Sequence, residues 1–260
     1  MDTKLINYIR LIKFRYHITF LVVIVGALLF NHQPFFTLAI DLVLTYISFN
    51  ILLYGGLYTL NDIADIESDR MHPRKKYRPL PSGTISIKSA YIFAFSVIST
   101  SLVFSYFYFG IPVFLTFLLF IAVNLAYTRI AKKIPYVEIL FNSLTYPMRF
   151  FLGVLLVGGE IPYFLILSIS FLALGFACVR RIVEKREPGW QARRVLQYYT
   201  ERKLVILQAV IFIFMILVSF IDYPFYGAWH GIVILFYIIS IFGFYFSPLL
   251  VAFYKWLFLN

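Results

Sequence analysis

Charged residues are scarce in this chain of 260 residues, since Asp, Glu, Lys and Arg together make up 13% of it. Soluble domains carry about 25% charged and about 45–50% apolar residues, whereas this sequence is 62% hydrophobic and 20% aromatic. The composition excludes an ordinary soluble globule and a disordered chain. The single cysteine, Cys178, excludes an intramolecular disulfide framework and a cysteine-based metal site, and it is predicted to be a small packing residue.

Long apolar runs dominate the sequence instead. A helix needs about 20 apolar residues to cross the hydrocarbon core of a bilayer. Eight such runs and one shorter run lie near 17–32, 37–60, 88–108, 111–128, 136–157, 161–181, 203–221, 226–246 and, for the short one, 248–259. The sequence therefore predicts an all-α fold, a polytopic membrane bundle of eight to nine transmembrane helices that forms a single domain over 1–260. An amphipathic segment at 1–16 is predicted to lie in the membrane interface.

Every second connection between these runs lacks Lys and Arg. The connections without them are 33–36, 109–110, 158–160 and 222–225. Under the positive-inside rule the basic side is cytoplasmic, which predicts a cytoplasmic N-terminus and cytoplasmic active-site loops at 61–87 and 182–202. The same rule explains most of the net charge of +11, so nucleic acid is not an expected partner.

Acidic residues number only 12, yet four of them fall within the eight positions from Asp62 to Asp69. On a continuous helix Asp62, Asp65 and Asp69 share one face, where their charges repel and a divalent cation relieves the repulsion. Oxygen ligands without cysteine suit Mg²⁺. The predicted metal ligands are Asn61, Asp62, Asp65 and Asp69. Glu67 points away from this face and is expected to pair with a loop cation, and the alternative for the whole cluster is a solvated helix end whose acids pair with the basic loop that follows.

Five Lys and Arg residues lie within the next nine positions. A polyanion held between Mg²⁺ and these cations explains why both charges occur together, with Lys75 and Arg78 as its candidate ligands. His72 is expected to form a hydrogen bond within the loop rather than to bind metal. Arg149 lies deep in the fifth run, where a charge is costly, so we predict that it faces an anion inside the bundle; pairing with Asp41 is the alternative.

The stretch from Asn61 to Gly83 has the pattern N-D-x-x-D-x-x-x-D-R-x-H-P-x-K-x-x-R-P-x-x-S-G. This pattern resembles the first aspartate-rich motif of the UbiA superfamily of intramembrane prenyltransferases. The resemblance implies a bundle of about nine spans with Mg²⁺–diphosphate chemistry on the cytoplasmic side, and catalytic roles for Asp62, Asp65 and Asp69. Typical members carry a second aspartate-rich motif after the sixth span, but the corresponding stretch here, 180–190, is basic.

In this respect the chain is similar to the decaprenyl-phosphate phosphoribosyltransferase branch of the superfamily, which has Lys-Arg-x-x-x-Glu at that place. Arg180, Arg181 and Glu184 match this stretch, with Arg in place of Lys. A second spaced pattern of the branch also occurs in this sequence, with Glu in place of Asp. Its residues here are Tyr127, Lys132, Glu138 and Arg149. The resemblance implies that these residues bind substrate. The segment 183–202 is either a cap that excludes water or an interfacial helix on anionic lipid.

The resemblance implies a transferase that moves 5-phosphoribose from phosphoribosyl pyrophosphate (PRPP) to a polyprenyl phosphate, with Mg²⁺ as cofactor and inversion at C1′. It would release pyrophosphate and serve cell-envelope biosynthesis in the bacterial inner membrane, and a homo-oligomer is compatible with it. One alternative is a UbiA-type enzyme that moves a prenyl group from its diphosphate to an aromatic or other small acceptor. Another is a transporter, which would leave the acidic cluster unexplained.

Overall fold

The computed structural model describes residues 3–71, 75–188 and 190–259. These residues are 86% helical and include no strand, which confirms the all-α prediction. His72, for which a hydrogen bond within the loop is predicted, lies outside the described residues.

Twelve α-helices occur in the described ranges. They are α1 (Thr3–Ile12), α2 (Leu21–Leu29), α3 (Phe35–Thr45), α4 (Tyr54–Ala64), α5 (Ile66–Met71), α6 (Ile87–Phe104), α7 (Ile111–Arg129), α8 (Val137–Leu156), α9 (Tyr163–Arg186), α10 (Glu201–Ile221), α11 (Tyr223–Tyr237) and α12 (Pro248–Leu259). Eight helical segments in the described part of the chain are long and apolar enough to cross a membrane, and α12 is the short ninth apolar helix. The number of spans predicted from hydropathy is therefore confirmed.

The amphipathic N-terminal segment forms α1, which ends at Ile12. Lys13 has left-handed backbone angles (φ 55°, ψ 54°), and a 3₁₀ turn over Phe14–Phe20 then leads into α2. Leu11 of α1 is buried in a cluster with Ile66, Leu80, Ile85 and Ala90. The apolar face of α1 thus contacts protein near its C-terminal end, and its position in the membrane interface stays a prediction.

The chain divides into two compact units, of which the first comprises Met1–Thr128 and Arg149–Glu160 and the second comprises Arg129–Met148 and Ile161–Asn260. Within the first unit, glycines allow α2 and the C-terminal half of α8 to approach closely. A Cβ atom at Gly26 would lie 2.3 Å from the carbonyl oxygen of Phe150, and one at Gly153 would lie 2.1 Å from that of Val23. Small residues at helix crossings let backbones pack directly, as in other membrane bundles.

Helix α9 is the centre of the second unit, where it packs against α10, α11 and α12. The core of this unit includes several fully buried apolar side chains: Cys178, Ile182, Leu204, Met215 and Ile241. Cys178 is a free, buried cysteine within this core. Its predicted role as a small packing residue is confirmed.

Candidate active site

The acidic cluster lies where α4 ends and α5 begins. Asp65 separates the two helices, with φ −100° and ψ 4°, so the continuous helix expected from the sequence is interrupted here. Hydrogen bonds of helical spacing nevertheless cross the break, because the Asp65 N–H donates to the Asn61 carbonyl (3.0 Å) and the Asp69 N–H to the Asp65 carbonyl (2.8 Å). Asp62 and Asp69 therefore remain on one side of the segment.

Both of these aspartates are buried, with 5% and 3% of their surface exposed, and both face the same arginine. Nη1 of Arg78 lies 2.9 Å from Oδ2 of Asp69 and 3.7 Å from Oδ1 of Asp62. Nζ of Lys75 lies 3.6 Å from Asp69, and Nζ of Lys13 lies 2.6 Å from Asp62. Two carboxylates and three cations thus converge in a compact group, which we call the acidic site.

Lys13 is the member of the acidic site that the sequence analysis did not single out. It stands 49 positions before Asp62, among basic residues that the positive-inside rule already explains. Its signal in the sequence is therefore indistinguishable from that of its neighbours. The turn after α1 brings it to the site.

Two other residues of the acidic cluster, Asn61 and Glu67, have partners outside the acidic site. Oδ1 of Asn61 accepts a hydrogen bond from the hydroxyl of Thr128 (3.3 Å). Glu67 pairs with Arg70 at 3.0 Å on the exposed side of α5, which agrees with its expected pairing with a neighbouring cation.

Whether the acidic site can hold a divalent metal depends on the oxygen atoms that its side chains offer as ligands. In the described part of the chain, no three His, Cys, Asp or Glu side chains converge in a group that could hold a metal ion. In this conformation Lys13 and Arg78 neutralise the carboxylates of Asp62 and Asp69 instead. The donors themselves are oxygens only, which fits Mg²⁺. A metal would bind by taking over carboxylate oxygens that the cations now contact, and the predicted ligand set stays a prediction.

Arg149 is buried in the first unit, in an aromatic environment. Its guanidinium carbon lies 4.4 Å from the ring centre of Tyr54 and 5.7 Å from those of Phe49 and Phe120. The faces of aromatic rings attract a cation, and more strongly where water is excluded. These rings therefore stabilise the intramembrane arginine that the sequence analysis expected to face an anion.

The first unit also contains a buried polar side chain that the sequence did not single out. Oδ1 of Asn50, a buried residue in the π-helical turn Tyr46–Leu53, has no hydrogen-bond partner among the described residues. Asp41, the alternative partner considered for Arg149, accepts a hydrogen bond from the hydroxyl of Tyr108 (3.2 Å). Tyr127 lies half-buried on α7. A single asparagine in an apolar run is the sequence signal that points to Asn50.

A second polar group, built around Arg181 in the second unit, has no exposed surface at its centre. The side chains of Arg181 and Glu138 are both 0% exposed. Arg181 donates to Glu138 through Nε (2.5 Å) and through Nη2, and its Nη1 donates to Glu184. Nη2 of Arg193 lies 3.3 Å from Glu138. We call these four residues the arginine cluster.

Tyr199 completes the arginine cluster from the loop side, although the sequence analysis did not identify it. Its buried hydroxyl donates to Oε1 of Glu138 (3.0 Å) and accepts from the backbone N–H of Tyr136 (2.8 Å). Burial raises the pKa of this hydroxyl, and the charge of Glu138 raises it further. Tyr199 therefore stays protonated and remains a donor at neutral pH. Through Tyr136 it also fixes the short segment that follows Lys132.

The segment after α9 forms two short 3₁₀ turns, Trp190–Ala192 and Arg194–Tyr198. These turns stand in place of a single interfacial helix, which was one of the two structures expected for this segment. Lys185 donates to the backbone carbonyl of Tyr199. Further ion pairs join Arg186 to Glu201 and Lys255 to Glu187. These contacts fasten the segment to the helices that flank it.

Two other predicted substrate ligands belong to the second unit. Arg180 pairs with Glu184 at 3.0 Å, and a third of its side chain (33%) is exposed. Lys132 lies half-buried in the 3₁₀ turn Ala131–Lys133. The second unit thus brings together Glu138, Arg180, Arg181 and Glu184. The first unit brings together Asp62, Asp69, Lys75 and Arg78.

Two curated relatives each match 59% of this chain. The chain is 29% identical over 160 residues to decaprenyl-phosphate phosphoribosyltransferase of Corynebacterium glutamicum, a match that covers 59% of this chain and 48% of the relative. It is 28% identical over 156 residues to the protein of the same name from Mycolicibacterium smegmatis, with 59% and 49% covered. The chain thus spans about half the length of the curated relatives it matches.

The fold has a close counterpart among solved structures. A UbiA homolog from Archaeoglobus fulgidus, solved with GPP and Mg²⁺ bound, superposes with a TM-score of 0.78 at 21% identity and covers 96% of this chain and 95% of its own. The model of the UbiA prenyltransferase family matches residues 19–257. With eight spans, the aspartate-rich stretch after the second of them and a family match over nearly its whole length, this chain belongs to the UbiA prenyltransferase family.

Proposed function

We propose that this protein is a membrane transferase that moves 5-phosphoribose from PRPP to a polyprenyl phosphate and releases pyrophosphate. The observation that carries the proposal is the arginine cluster, which occupies the place where typical family members have a second aspartate-rich motif. The two carboxylates of the cluster, Glu138 and Glu184, each form ion pairs with both Arg181 and Arg193. A second Mg²⁺ site is therefore not expected there. Relatives named decaprenyl-phosphate phosphoribosyltransferase support the same conclusion.

The acidic site would receive the pyrophosphate end of PRPP. The residues that would hold Mg²⁺ there are Asn61, Asp62, Asp65 and Asp69. When bound, Mg²⁺ neutralises the negative charge that develops on the leaving pyrophosphate. Lys75 and Arg78, which contact the aspartates through 3.6 Å and 2.9 Å ion pairs, would turn to the phosphate oxygens and hold the donor in place.

The 5′-phosphate of PRPP and the lipid phosphate also need cationic partners. Arg180 has an exposed third of its side chain with which to bind an anion, and Arg149 is a buried cation in an aromatic environment. Lys132 and the hydroxyl of Tyr127 are the other candidate ligands. Arg181 and Glu138 have 0% exposure, so in this conformation they support their neighbours rather than meet a ligand directly.

The chemistry needs no general base, because the lipid phosphate is already an anionic nucleophile. Its oxygen attacks C1′ of the ribose while the bond between C1′ and the pyrophosphate oxygen breaks, and this inverts C1′. Alignment of the two reactants and stabilisation of charge on the leaving group supply the rate enhancement. The distribution of Lys and Arg along the sequence favours a reaction on the cytoplasmic side of a bacterial cell membrane.

Pyrophosphate release by the purified protein in detergent tests this proposal. The assay contains Mg²⁺ and a polyprenyl phosphate with PRPP, or a prenyl diphosphate with an aromatic acceptor. Release that requires both PRPP and the lipid phosphate is the expected result. Release with the prenyl diphosphate alone as donor would return the protein to the ordinary prenyltransferases of its family.

A pair of variants links this activity to the acidic cluster. Asp65→Asn is expected to abolish Mg²⁺-dependent turnover and leave the folded protein intact, because it removes one carboxylate at the helix break. Glu67→Gln is the matched control, since Glu67 is exposed and pairs with Arg70. Full activity in Asp65→Asn would refute the metal assignment.

A further inference from the structure

Lys13 stands out because its contact with Asp62 is short and its surroundings are enclosed. The distance of 2.6 Å between Nζ and Oδ1 is the shortest ion pair of the acidic site, and the two side chains are 15% and 7% exposed. Nζ also lies 5.4 Å from the ring centre of Tyr58. The lysine ammonium is therefore held between an anion and an aromatic face.

The backbone at Lys13 indicates that this placement is enforced by the fold. A left-handed conformation (φ 55°, ψ 54°) is disfavoured for a residue with a Cβ atom. The preceding residue, Ile12, packs against Gly55 of α4, where a Cβ atom would come within 3.4 Å of it. The end of α1 thus packs on α4 about two helix turns before Asp62, and the strained turn directs Lys13 to the acidic site.

We propose that Lys13 is an exchangeable counter-ion, which releases Asp62 to Mg²⁺ and binds the diphosphate in the same event. This inference rests on the proposed function, in which the acidic site takes a Mg²⁺–diphosphate complex. In the structure, Asp62 and Asp69 are already neutralised by Lys13, Lys75 and Arg78. These three cations outnumber the two carboxylates that they contact, before any metal binds.

Each ligand alone meets an obstacle at such a site. Mg²⁺ alone has to break the pair between Lys13 and Asp62 and leave an ammonium group enclosed beside a metal ion, which is unfavourable. A diphosphate alone has to approach two buried carboxylates. When both bind, the metal takes the carboxylates, and the ammonium finds phosphate oxygens. Mg²⁺ and diphosphate therefore raise each other's affinity, and the coupling is the same in both directions.

Binding of Mg²⁺ and inorganic pyrophosphate to the purified protein in detergent tests this coupling. Calorimetric titration, corrected for the Mg²⁺–pyrophosphate complex that forms in solution, gives the affinity for Mg²⁺ without and with pyrophosphate, and the shift in melting temperature gives an independent measure. In the wild type, pyrophosphate is expected to tighten Mg²⁺ binding about tenfold or more. In Lys13→Met, Mg²⁺ alone is expected to bind more tightly than in the wild type, and the coupling is expected to be several-fold weaker than in the wild type, since only the direct attraction between metal and phosphate remains.

Controls separate the role of Lys13 from a general loss of positive charge. Lys88→Met makes the same change at an exposed lysine on the first turn of α6 and is expected to keep the wild-type coupling. Lys13→Gln repeats the test with a polar side chain, and all variants are purified with Mg²⁺ and pyrophosphate. Since these ligands replace the missing counter-ion, failure of both Lys13 variants to fold even then would overturn the inference.

Two further results would also overturn it: independent binding of Mg²⁺ and pyrophosphate in the wild type, or wild-type coupling in Lys13→Met. Failure of the proposed function is a separate outcome. In that case PRPP supports no turnover, yet the coupling between Mg²⁺ and pyrophosphate persists and depends on Lys13. If PRPP supports turnover but Mg²⁺ and pyrophosphate bind independently, the proposed function stands and the role of Lys13 as an exchangeable counter-ion is rejected.

Discussion

Replacement of the buried pair between Glu138 and Arg181 is the sharpest test of the arginine cluster. The variants are Glu138→Leu, Arg181→Leu and the double variant, measured as a cycle. Both side chains are 0% exposed, so each single variant leaves a charge enclosed in the protein without its main partner. The double variant removes both charges at once.

The expected magnitudes follow from the contacts. Removing one member of a buried ion pair typically costs about 3–5 kcal/mol. The lower end applies here, because Glu138 keeps Arg193 and Tyr199 when Arg181 is lost, and Arg181 keeps Glu184 when Glu138 is lost. Each single variant is therefore expected to lose about 3 kcal/mol of unfolding free energy. The double variant is expected to lose only about 0–2 kcal/mol, since apolar side chains of similar size replace the pair well.

Reversible unfolding in detergent, followed by circular dichroism against denaturant, measures these free energies. A loss of about 3 kcal/mol corresponds to a melting temperature lower by roughly 6–12 °C in a protein of this size. Strongly non-additive losses are the expected signature of two residues that act as one unit. If the loss in the double variant equals the sum of the two single losses, the reasoning about a mutually dependent buried pair is refuted.

Two other substitutions test the packing and the loop attachment. Gly153→Ala places a Cβ atom 2.1 Å from the Val23 carbonyl oxygen and is expected to lower stability by about 1–3 kcal/mol, whereas Gly231→Ala, where a Cβ meets no atom within 4 Å, should leave the melting temperature nearly unchanged. Tyr199→Phe loses the hydrogen bond to Glu138 (3.0 Å) and should cost about 1–3 kcal/mol. Because the pKa of Tyr199 is raised on folding, this difference from wild type should stay constant below about pH 10, the ordinary tyrosine value, and disappear only as the pH rises through the folded-state pKa. A decline already between pH 6 and 9 would contradict the assignment.

The sequence alone predicted the helical membrane fold because that property is local. Within a span, each backbone N–H and C=O is satisfied by the same helix, so about 20 apolar residues are sufficient to identify it. The pairing of Asp69 with Arg78 could also be expected from the sequence, because the two residues are only nine positions apart. The continuous helix expected over Asp62 to Asp69 was wrong in one detail, the break at Asp65.

Only the tertiary structure decided which charges that are remote in sequence meet. Lys13 reaches Asp62 across 49 positions, and Tyr199 reaches Glu138 across 61. Electrostatic attraction depends on distance and on the exclusion of water, and the folded chain sets both for residues that are remote in sequence. The length of the apolar runs therefore determined which helices can cross the membrane, while the packing of the helices and the left-handed turn at Lys13 determined which charges remote in sequence become partners.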